Sequence, residues 1–299
     1  MTAIRPFVDR PVIDRVGALA VARRQAEVWG LPAPSLLRHG MNSLYSCGDV
    51  VLRVGAATAP AARSHALARW LLAAGVPTVA PVDGLCADVD GLAVTGWEHV
   101  ATSQAAPDWE AIGKAVRTVH ALSIGEVPAG YPLPDPSSFP WWDFETMLAD
   151  VSGEVDAAAL AGLRRTFDES AGWQERIARD VVLCHGDVHP GNVVVSGTRS
   201  LLIDWDLLCI ANPAWDHAML TTYAGRWGGD PAVLERFEAG YGAPGVDREL
   251  ARELGELRNV AATLMRVKAG RHDPTAAAEA ERRLRYWRND PRAPTWQAQ

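Results

Sequence analysis

The sequence has few cysteines, no leader-like amino terminus and no long apolar run. Its four cysteines, Cys47, Cys86, Cys184 and Cys209, lie far apart and form no Cys-x-x-Cys pair. This spacing predicts free thiols in a reducing cytoplasm. No stretch approaches the roughly 20 apolar residues of a membrane-spanning helix, and the first residues do not combine a basic start with a long apolar run, so no membrane partner is expected.

The sequence also lacks a surplus of positive charge. Its formal net charge of −7 argues against a nucleic-acid partner. The same charge mildly favours a cationic small-molecule partner, although acidity can serve solubility alone. With 299 residues, of which 48% are hydrophobic, the chain can bury a large core in one large or two ordinary domains.

The most informative stretch runs from Leu183 to Trp205 and reads LCHGDVHPGNVVVSGTRSLLIDW. Asp187 and Asn192 lie five residues apart in a segment that a proline and a glycine keep from being a helix or a strand. Asp204 follows an apolar run, residues 201–203, that predicts a short strand. We expect the two carboxylates and the amide to converge on one site.

These residue types suit phosphoryl transfer. Mg²⁺ prefers hard oxygen ligands, which the Asn192 carbonyl and the Asp204 carboxylate can supply. An acceptor hydroxyl needs a base that stays ionised beside a metal, and Asp187 fits that role. His185 is interpreted as a residue that orients the loop by hydrogen bonds in preference to a proton carrier.

The pair HGDVHPGN and IDWD resembles the H-x-D-x-x-x-x-N and I-D-[WF]-[DE] motifs of the aminoglycoside phosphotransferase family, relatives of the protein kinases. The resemblance implies an α+β, bilobal, protein-kinase-like fold. Residues 1–98 would form a small nucleotide-binding lobe with a leading helix and an antiparallel sheet, and residues 99–299 a larger, mostly helical lobe. It further implies ATP or GTP as donor, Mg²⁺, and a small-molecule hydroxyl as acceptor, with an aminoglycoside-like antibiotic or amino sugar favoured.

In the first lobe, a helix is predicted from Asp14 to Trp29, with an apolar stripe through Val16, Leu19, Ala20 and Val28. It would precede the sheet as an accessory helix.

Two apolar segments, residues 44–46 and 50–54, flank Cys47-Gly48-Asp49 and predict a β-hairpin. The resemblance makes this the hairpin that covers the phosphates. Most of the glycines found there in protein kinases are missing, so Asn42 and Ser43 are candidate donors to phosphate.

The resemblance places Arg53 where the family has the lysine that touches the α and β phosphates. Arginine keeps the cation but is longer and planar. The next helix, predicted from Ala61 to Ala74, should supply a glutamate to this cation, yet it offers Ser64 and His65 and no acid. Either a hydroxyl, an imidazole or an acid from elsewhere orients Arg53, or the chain is a pseudokinase that binds nucleotide poorly.

Segments 78–82 and 92–97 are predicted strands that complete the sheet. The hinge of the kinase-like frame then falls on TGWEHV, where backbone groups would bind adenine. Its candidate residues are Trp97, Glu98, His99 and Val100. Trp97 can equally be a packing residue.

The segment GYPLPDPSSFPWWDFE is either a linker or an aromatic and acidic wall for a polyhydroxyl or amine ligand. Its candidate substrate residues are Trp141, Trp142, Asp143 and Glu145. Downstream, Asp206 is a candidate for contact with metal or a substrate amine, and Asp216 is interpreted as a brace beneath the catalytic loop.

The carboxy-terminal region predicts helices over residues 247–269 and 276–287. Acid and base residues four apart, such as Glu279 with Arg283, indicate a solvated face.

Two other functions stay open. His185 and Asp187, with His189 or His217 as a third ligand, mimic the iron site of non-haem oxygenases. That interpretation gives Asn192 and Asp204 no role. The other alternative is a kinase-like pocket that binds ligand without catalysis.

Overall fold

The computed structural model describes residues 15–56 and 58–297. The first third holds two helices and five strands: α1 (Arg15–Val28), β1 (Ser35–His39), β2 (Asn42–Cys47), β3 (Val50–Ala56), α2 (Ala61–Ala73), β4 (Pro81–Val89) and β5 (Leu92–Glu98). The five strands form one antiparallel sheet in the order β1-β2-β3-β5-β4. The predicted antiparallel sheet is therefore confirmed.

The sheet differs from the prediction in two strands. β1 was not expected, and it pairs with β2 at the edge of the sheet. β4 begins at Pro81, later than the predicted Thr78, and continues to Val89. The register between β4 and β5 shifts between Pro81 and Cys86, where Gly84 has a φ of +75°. This irregularity interrupts the alternation that marks a strand in sequence, so the second half of β4 escaped detection.

The leading helix packs on the sheet through a different face from the one expected. Its buried face consists of Ala18, Ala22 and Ala26, whereas Val16 and Val28 are exposed. Alanines let the helix approach Leu52 and Val54 of the sheet closely, which the larger valines would prevent. Of the predicted apolar stripe, only Leu19 packs against the sheet core, whereas Val16, Ala20 and Val28 are exposed. The first residue of the predicted helix, Asp14, lies outside the described residues.

The rest of the chain is mostly helical. Its helices are α3 (Trp109–His120), α4 (Phe144–Val151), α5 (Ala157–Glu169), α6 (Trp173–Ile177), α7 (Ala214–Trp227), α8 (Ala232–Tyr241), α9 (Arg248–Gly270) and α10 (Pro274–Trp287). Within the described residues, four short strands form two antiparallel pairs: β6 (Val182–Cys184) with β9 (Cys209–Ala211), and β7 (Val193–Ser196) with β8 (Arg199–Leu202). The expected α+β class is confirmed.

Helix α3 shows how local sequence sets this part of the fold. The Asp108 side chain caps it by accepting from the Ala111 N–H at 3.0 Å. Trp109, Ile112 and Val116, at helical spacing, are all buried. They pack in one core with Leu183 and Leu202, and so anchor the strands on either side of the predicted catalytic loop.

The carboxy-terminal helices depart from the prediction in one pair. Glu279 and Arg283 are 1% and 2% exposed, so the predicted solvated face is wrong here. Arg283 donates to Glu279 at 2.9 Å, and its guanidinium lies over the rings of Trp227 and Trp296. Backbone carbonyls of Ala262 and residue 297 accept its other protons.

The four cysteines are free thiols, as their spacing predicted. Among the described residues, no helix combines the length and apolar character needed to cross a bilayer.

Candidate active site

The loop after β6 is held from below by Asp216. Its two carboxylate oxygens accept from the backbone N–H groups of His185, at 2.7 Å, and Gly186, at 2.8 Å. His120 Nε2 lies 3.1 Å from the same carboxylate. Gly186 has a φ of +90°, and a Cβ there would lie 1.9 Å from a backbone carbonyl oxygen, so the loop requires glycine at this point. The bracing position predicted for Asp216 is confirmed.

His185 is fully buried at the start of this loop. Its Nε2 donates to the Ile203 carbonyl at 3.0 Å, and its Nδ1 accepts from the Asp187 N–H at 3.2 Å. Burial lowers the pKa of His185. Because both ring nitrogens are engaged by backbone, the imidazole can orient the loop but has no free nitrogen for a metal ion. This arrangement removes the leading ligand of the iron-site alternative.

Asp187 is surrounded by donors. Arg258 Nη1 lies 3.1 Å from one carboxylate oxygen, and Asn192 Nδ2 at 3.1 Å and His189 Nε2 at 3.3 Å contact the other. Burial alone would raise the pKa of Asp187, but His189 and Arg258 hold that pKa below its usual range. The carboxylate therefore stays ionised, as a base requires.

Arg258 was not found from the sequence. It lies in the middle of α9, donates also to the Gly186 carbonyl, and stacks over the Trp215 ring at 5.1 Å. Nothing in its local sequence distinguishes it from the other arginines of that helix. Only the packing of α9 against the catalytic loop brings it to Asp187.

Asn192 and Asp204 lie on adjoining segments, since the Ile203 N–H donates to the Asn192 carbonyl at 2.9 Å. The Asn192 NH₂ group is occupied by Asp187, which leaves its side-chain carbonyl oxygen as the ligand atom. Asp204 has a left-handed backbone (φ 64°), and partial burial and then the neighbouring Asp206 raise its pKa. A carboxylate short of positive partners and an amide oxygen fit a hard divalent cation such as Mg²⁺.

Arg53 has an acid partner that the sequence did not reveal. It forms an ion pair with Asp206 and lies 3.6 Å from Asp204. The Arg53 side chain is 18% exposed and the Asp206 side chain 10%. Of the open alternatives for orienting Arg53, the structure therefore supports an acid from elsewhere in the chain.

The two turns at the ends of β2 have different surroundings. The turn at Gly48 and Asp49 exists, and its carbonyls accept from His99 of the predicted hinge. The opposite turn, between β1 and β2, adjoins Asn42 and Ser43, the candidate donors to phosphate. Ser43 there is fully buried and its hydroxyl is 2.8 Å from His39 Nδ1, so it is poorly placed to donate to phosphate. Asn42 folds over Gly55 on the neighbouring strand.

The predicted hinge comprises the end of β5 and the two residues that follow it. The N–H groups of Glu98 and His99 donate to Ala80 and Asp49 at 2.9 Å each. Within the described residues, the Val100 N–H has no hydrogen-bond partner, so it can donate to a ligand. Trp97 donates to Thr95 and packs edge-on against His65. These contacts correspond to the packing role considered for Trp97 from the sequence.

A cavity of about 900 Å³ opens beside Asp206. Among the predicted substrate residues, Asp143, Glu145 and Asp206 line it, together with an edge of Trp142, which is only 4% exposed. Trp141 does not line it and is stacked on Phe139 in the core at a centroid distance of 4.7 Å. The aromatic wall is therefore only partly the one expected, because Trp141 and most of Trp142 stabilise the helical core.

Comparison with known proteins identifies related phosphotransferases. The profile of the Phosphotransferase enzyme family (APH) matches residues 44–254. Over 210 residues, the chain is 30% identical to an aminoglycoside 3′-phosphotransferase of Streptomyces ribosidificus, covering 60% of this chain and 73% of that protein. A protein of the same name from Streptomyces fradiae is 30% identical over 207 residues, covering 60% and 72%.

Two solved structures share the fold. The AMP-bound spectinomycin phosphotransferase APH(9)-Ia superposes with a TM-score of 0.67 at 18% identity, covering 91% of this chain and 95% of that one. Amicoumacin kinase hAmiN, solved with AMP-PNP, Ca²⁺ and Ami, gives 0.66 at 15% identity, covering 93% and 95%. The expected protein-kinase-like fold is confirmed. With the matched profile and the two Streptomyces relatives, these observations establish that this chain belongs to the APH phosphotransferase enzyme family.

Proposed function

We propose that this protein transfers the γ-phosphoryl group of ATP or GTP to a hydroxyl of a small molecule. The observation that carries the proposal is the pairing of two unlike carboxylates. Asp187 is kept ionised by protein donors, whereas Asp204 is short of positive partners beside the Asn192 carbonyl. The first suits a base and the second a metal ligand.

Each residue has a role in this proposal. Mg²⁺ held by Asn192 and Asp204 would neutralise charge on the phosphate oxygens. Arg53 would contact the phosphates, and the β1–β2 turn with Asn42 would cover them. The backbone of residues 98–100 would bind the base of the nucleotide. Asp187 would accept the proton of the acceptor hydroxyl while His185 fixes the loop.

The names of the relatives suggest the acceptor. An aminoglycoside-like antibiotic or an amino sugar is the class they support, since two relatives are called aminoglycoside 3′-phosphotransferases. The cavity beside Asp206 is the proposed acceptor pocket, because Asp206 lies two residues after the proposed metal ligand Asp204 and the volume of the cavity suits a drug-sized molecule. The four free thiols support a reducing, cytoplasmic location.

A pocket without catalysis is the remaining alternative. It would follow if Arg53 lacked an orienting acid, but Asp206 supplies one. The intact donor shell around Asp187 also favours an enzyme.

The test is a search for phosphorylated product. The protein is incubated with ATP or GTP, Mg²⁺ and a pooled panel of aminoglycosides, amino sugars and amino alcohols, and mass spectrometry detects any compound heavier by one phosphoryl group. We expect a product that disappears in Asp187→Asn. Nucleotide binding without turnover on any acceptor would favour the binding module.

A further inference from the structure

The charge on the wall of the 900 Å³ cavity is largely neutralised by the protein itself. Three acids line the cavity: Asp143, Glu145 and Asp206. Glu145 accepts from Arg164 at 2.6 Å, and Asp206 is paired with Arg53. Two of the three negative charges therefore already have a guanidinium partner.

The third acid is occupied in a different way. The Asp143 side chain caps helix α4 by accepting from the Thr146 N–H at 3.2 Å. A ligand amine would share this carboxylate with the amino terminus of the helix. The net charge of the wall with its arginines is thus about that of one carboxylate.

The remainder of the wall is neutral. The rings of Phe139, Phe144 and Phe167 contribute to it, and Thr58 and Gln174 add neutral hydrogen-bonding groups. Such a surface favours an apolar or ring-shaped part of a ligand and a few hydroxyls. A ligand with several ammonium groups would lose hydration without gaining an equal number of unpaired carboxylates.

We propose that, within the acceptor class proposed above, the acceptor is an amino sugar or an antibiotic with an apolar ring system and at most one ammonium group, and that aminoglycosides with several ammonium groups are poorer acceptors. The inference rests on the proposed function, because it takes the cavity beside Asp206 as the acceptor pocket. Arg164 is then a specificity-determining residue, since it pairs with Glu145, one of the two exposed acids of the wall.

The experiment compares acceptors of graded charge. Calorimetry in the presence of AMP-PNP and Mg²⁺ measures binding of aminoglycosides with several ammonium groups, of amino sugars with one, and of neutral polyhydroxyl compounds with an apolar ring. We expect the polycations to bind more weakly than the best low-charge compound, or not at all. A polycation as the tightest ligand would overturn the inference.

Arg164→Gln isolates the wall charge, and Arg165→Gln on the exposed neighbouring position is its matched control. Uncovering Glu145 should raise the affinity for polycations by about threefold, and this gain should shrink as salt is added. An equal affinity in the two variants would overturn the role of Arg164.

Nucleotide binding is measured in parallel. If Mg²⁺-dependent binding of AMP-PNP is absent in the wild-type protein, the proposed function fails. If nucleotide binds and a polycation is phosphorylated with the highest kcat/KM, only the inference on acceptor charge fails.

Discussion

Asp187 and Asp204 are two carboxylates in one site with opposite surroundings. Asp187 has donors on both oxygens, from Arg258, Asn192 and His189. Asp204 has one cation at 3.6 Å, and Asp206 beside it repels its charge. The protein thus supplies hydrogen-bond donors to Asp187 and few positive partners to Asp204. In the proposed function, this difference in surroundings, and not the residue type, makes the first a base and the second a metal ligand.

The largest effect is expected from Asp187. Asp187→Asn keeps the shape of the side chain but removes the base, so turnover should fall by at least about 10². Steady-state kinetics checks this, and circular dichroism verifies that the variant is folded. Turnover close to that of the wild type would show that the base lies elsewhere.

Asp204 should govern metal binding. Asp204→Ala removes one of the two proposed oxygen ligands, so nucleotide affinity should no longer increase when Mg²⁺ is added. Titrations of AMP-PNP with and without Mg²⁺ measure this difference. An unchanged response to Mg²⁺ would place the metal site elsewhere and break the comparison.

The hydrogen bonds that Asp187 accepts can be weakened without changing Asp187 itself. Arg258→Met removes the guanidinium and its two hydrogen bonds, which should lower kcat by about tenfold. Arg252→Met, at an exposed position of the same helix, is the matched control and should leave kcat unchanged. Equal kcat values in the two variants would mean that Arg258 only packs against Trp215.

The smallest effect is expected from a buried titratable side chain whose charge no ion from solution compensates. His65 is buried beneath the hinge, and burial followed by the charge of Arg69 lowers its pKa to about 4. As the pH falls, His65 therefore binds a proton near pH 6.5 in the unfolded chain but only near pH 4 in the folded chain. Stability contributed by the neutral imidazole is fully present above pH 6.5, falls between these values as pH decreases, and changes no further below about pH 4.

Thermal unfolding between pH 4 and 7 tests this window. His65→Leu should flatten the dependence of the unfolding free energy on pH, whereas the exposed His272→Leu should not. If His65→Leu retains the wild-type slope, another group controls acid stability.

The sequence alone predicted those parts of the candidate site whose residues lie close together in the chain. Asp187, Asn192 and Asp204 lie within one loop and the hairpin that follows, so their spacing alone predicted that they meet. Arg258 comes from a helix 71 residues further on, and its position depends on how α9 packs. No periodic pattern in the sequence predicts the contact between Arg258 and Asp187.

Charge patterns were a weaker guide than motifs. The four-residue spacing of Glu279 and Arg283 is the same for a solvated pair and a buried one, and the two tryptophan rings that cover Arg283 lie outside its own helix. The run of tryptophans likewise did not show which rings would serve the core. In both cases the missing information was the identity of the neighbours across the fold.

The pairing of Arg53 with Asp206 bears on how inactive relatives of kinases are recognised. A survey that identified active chains by a lysine in β3 and a glutamate in α2 would classify this protein among the inactive ones. Here the cation is an arginine, and its acid follows the proposed metal ligand by two residues. When an alignment lacks the usual lysine and glutamate pair, inactivity can therefore be inferred only after the loop that follows β8 has been searched for a substitute acid.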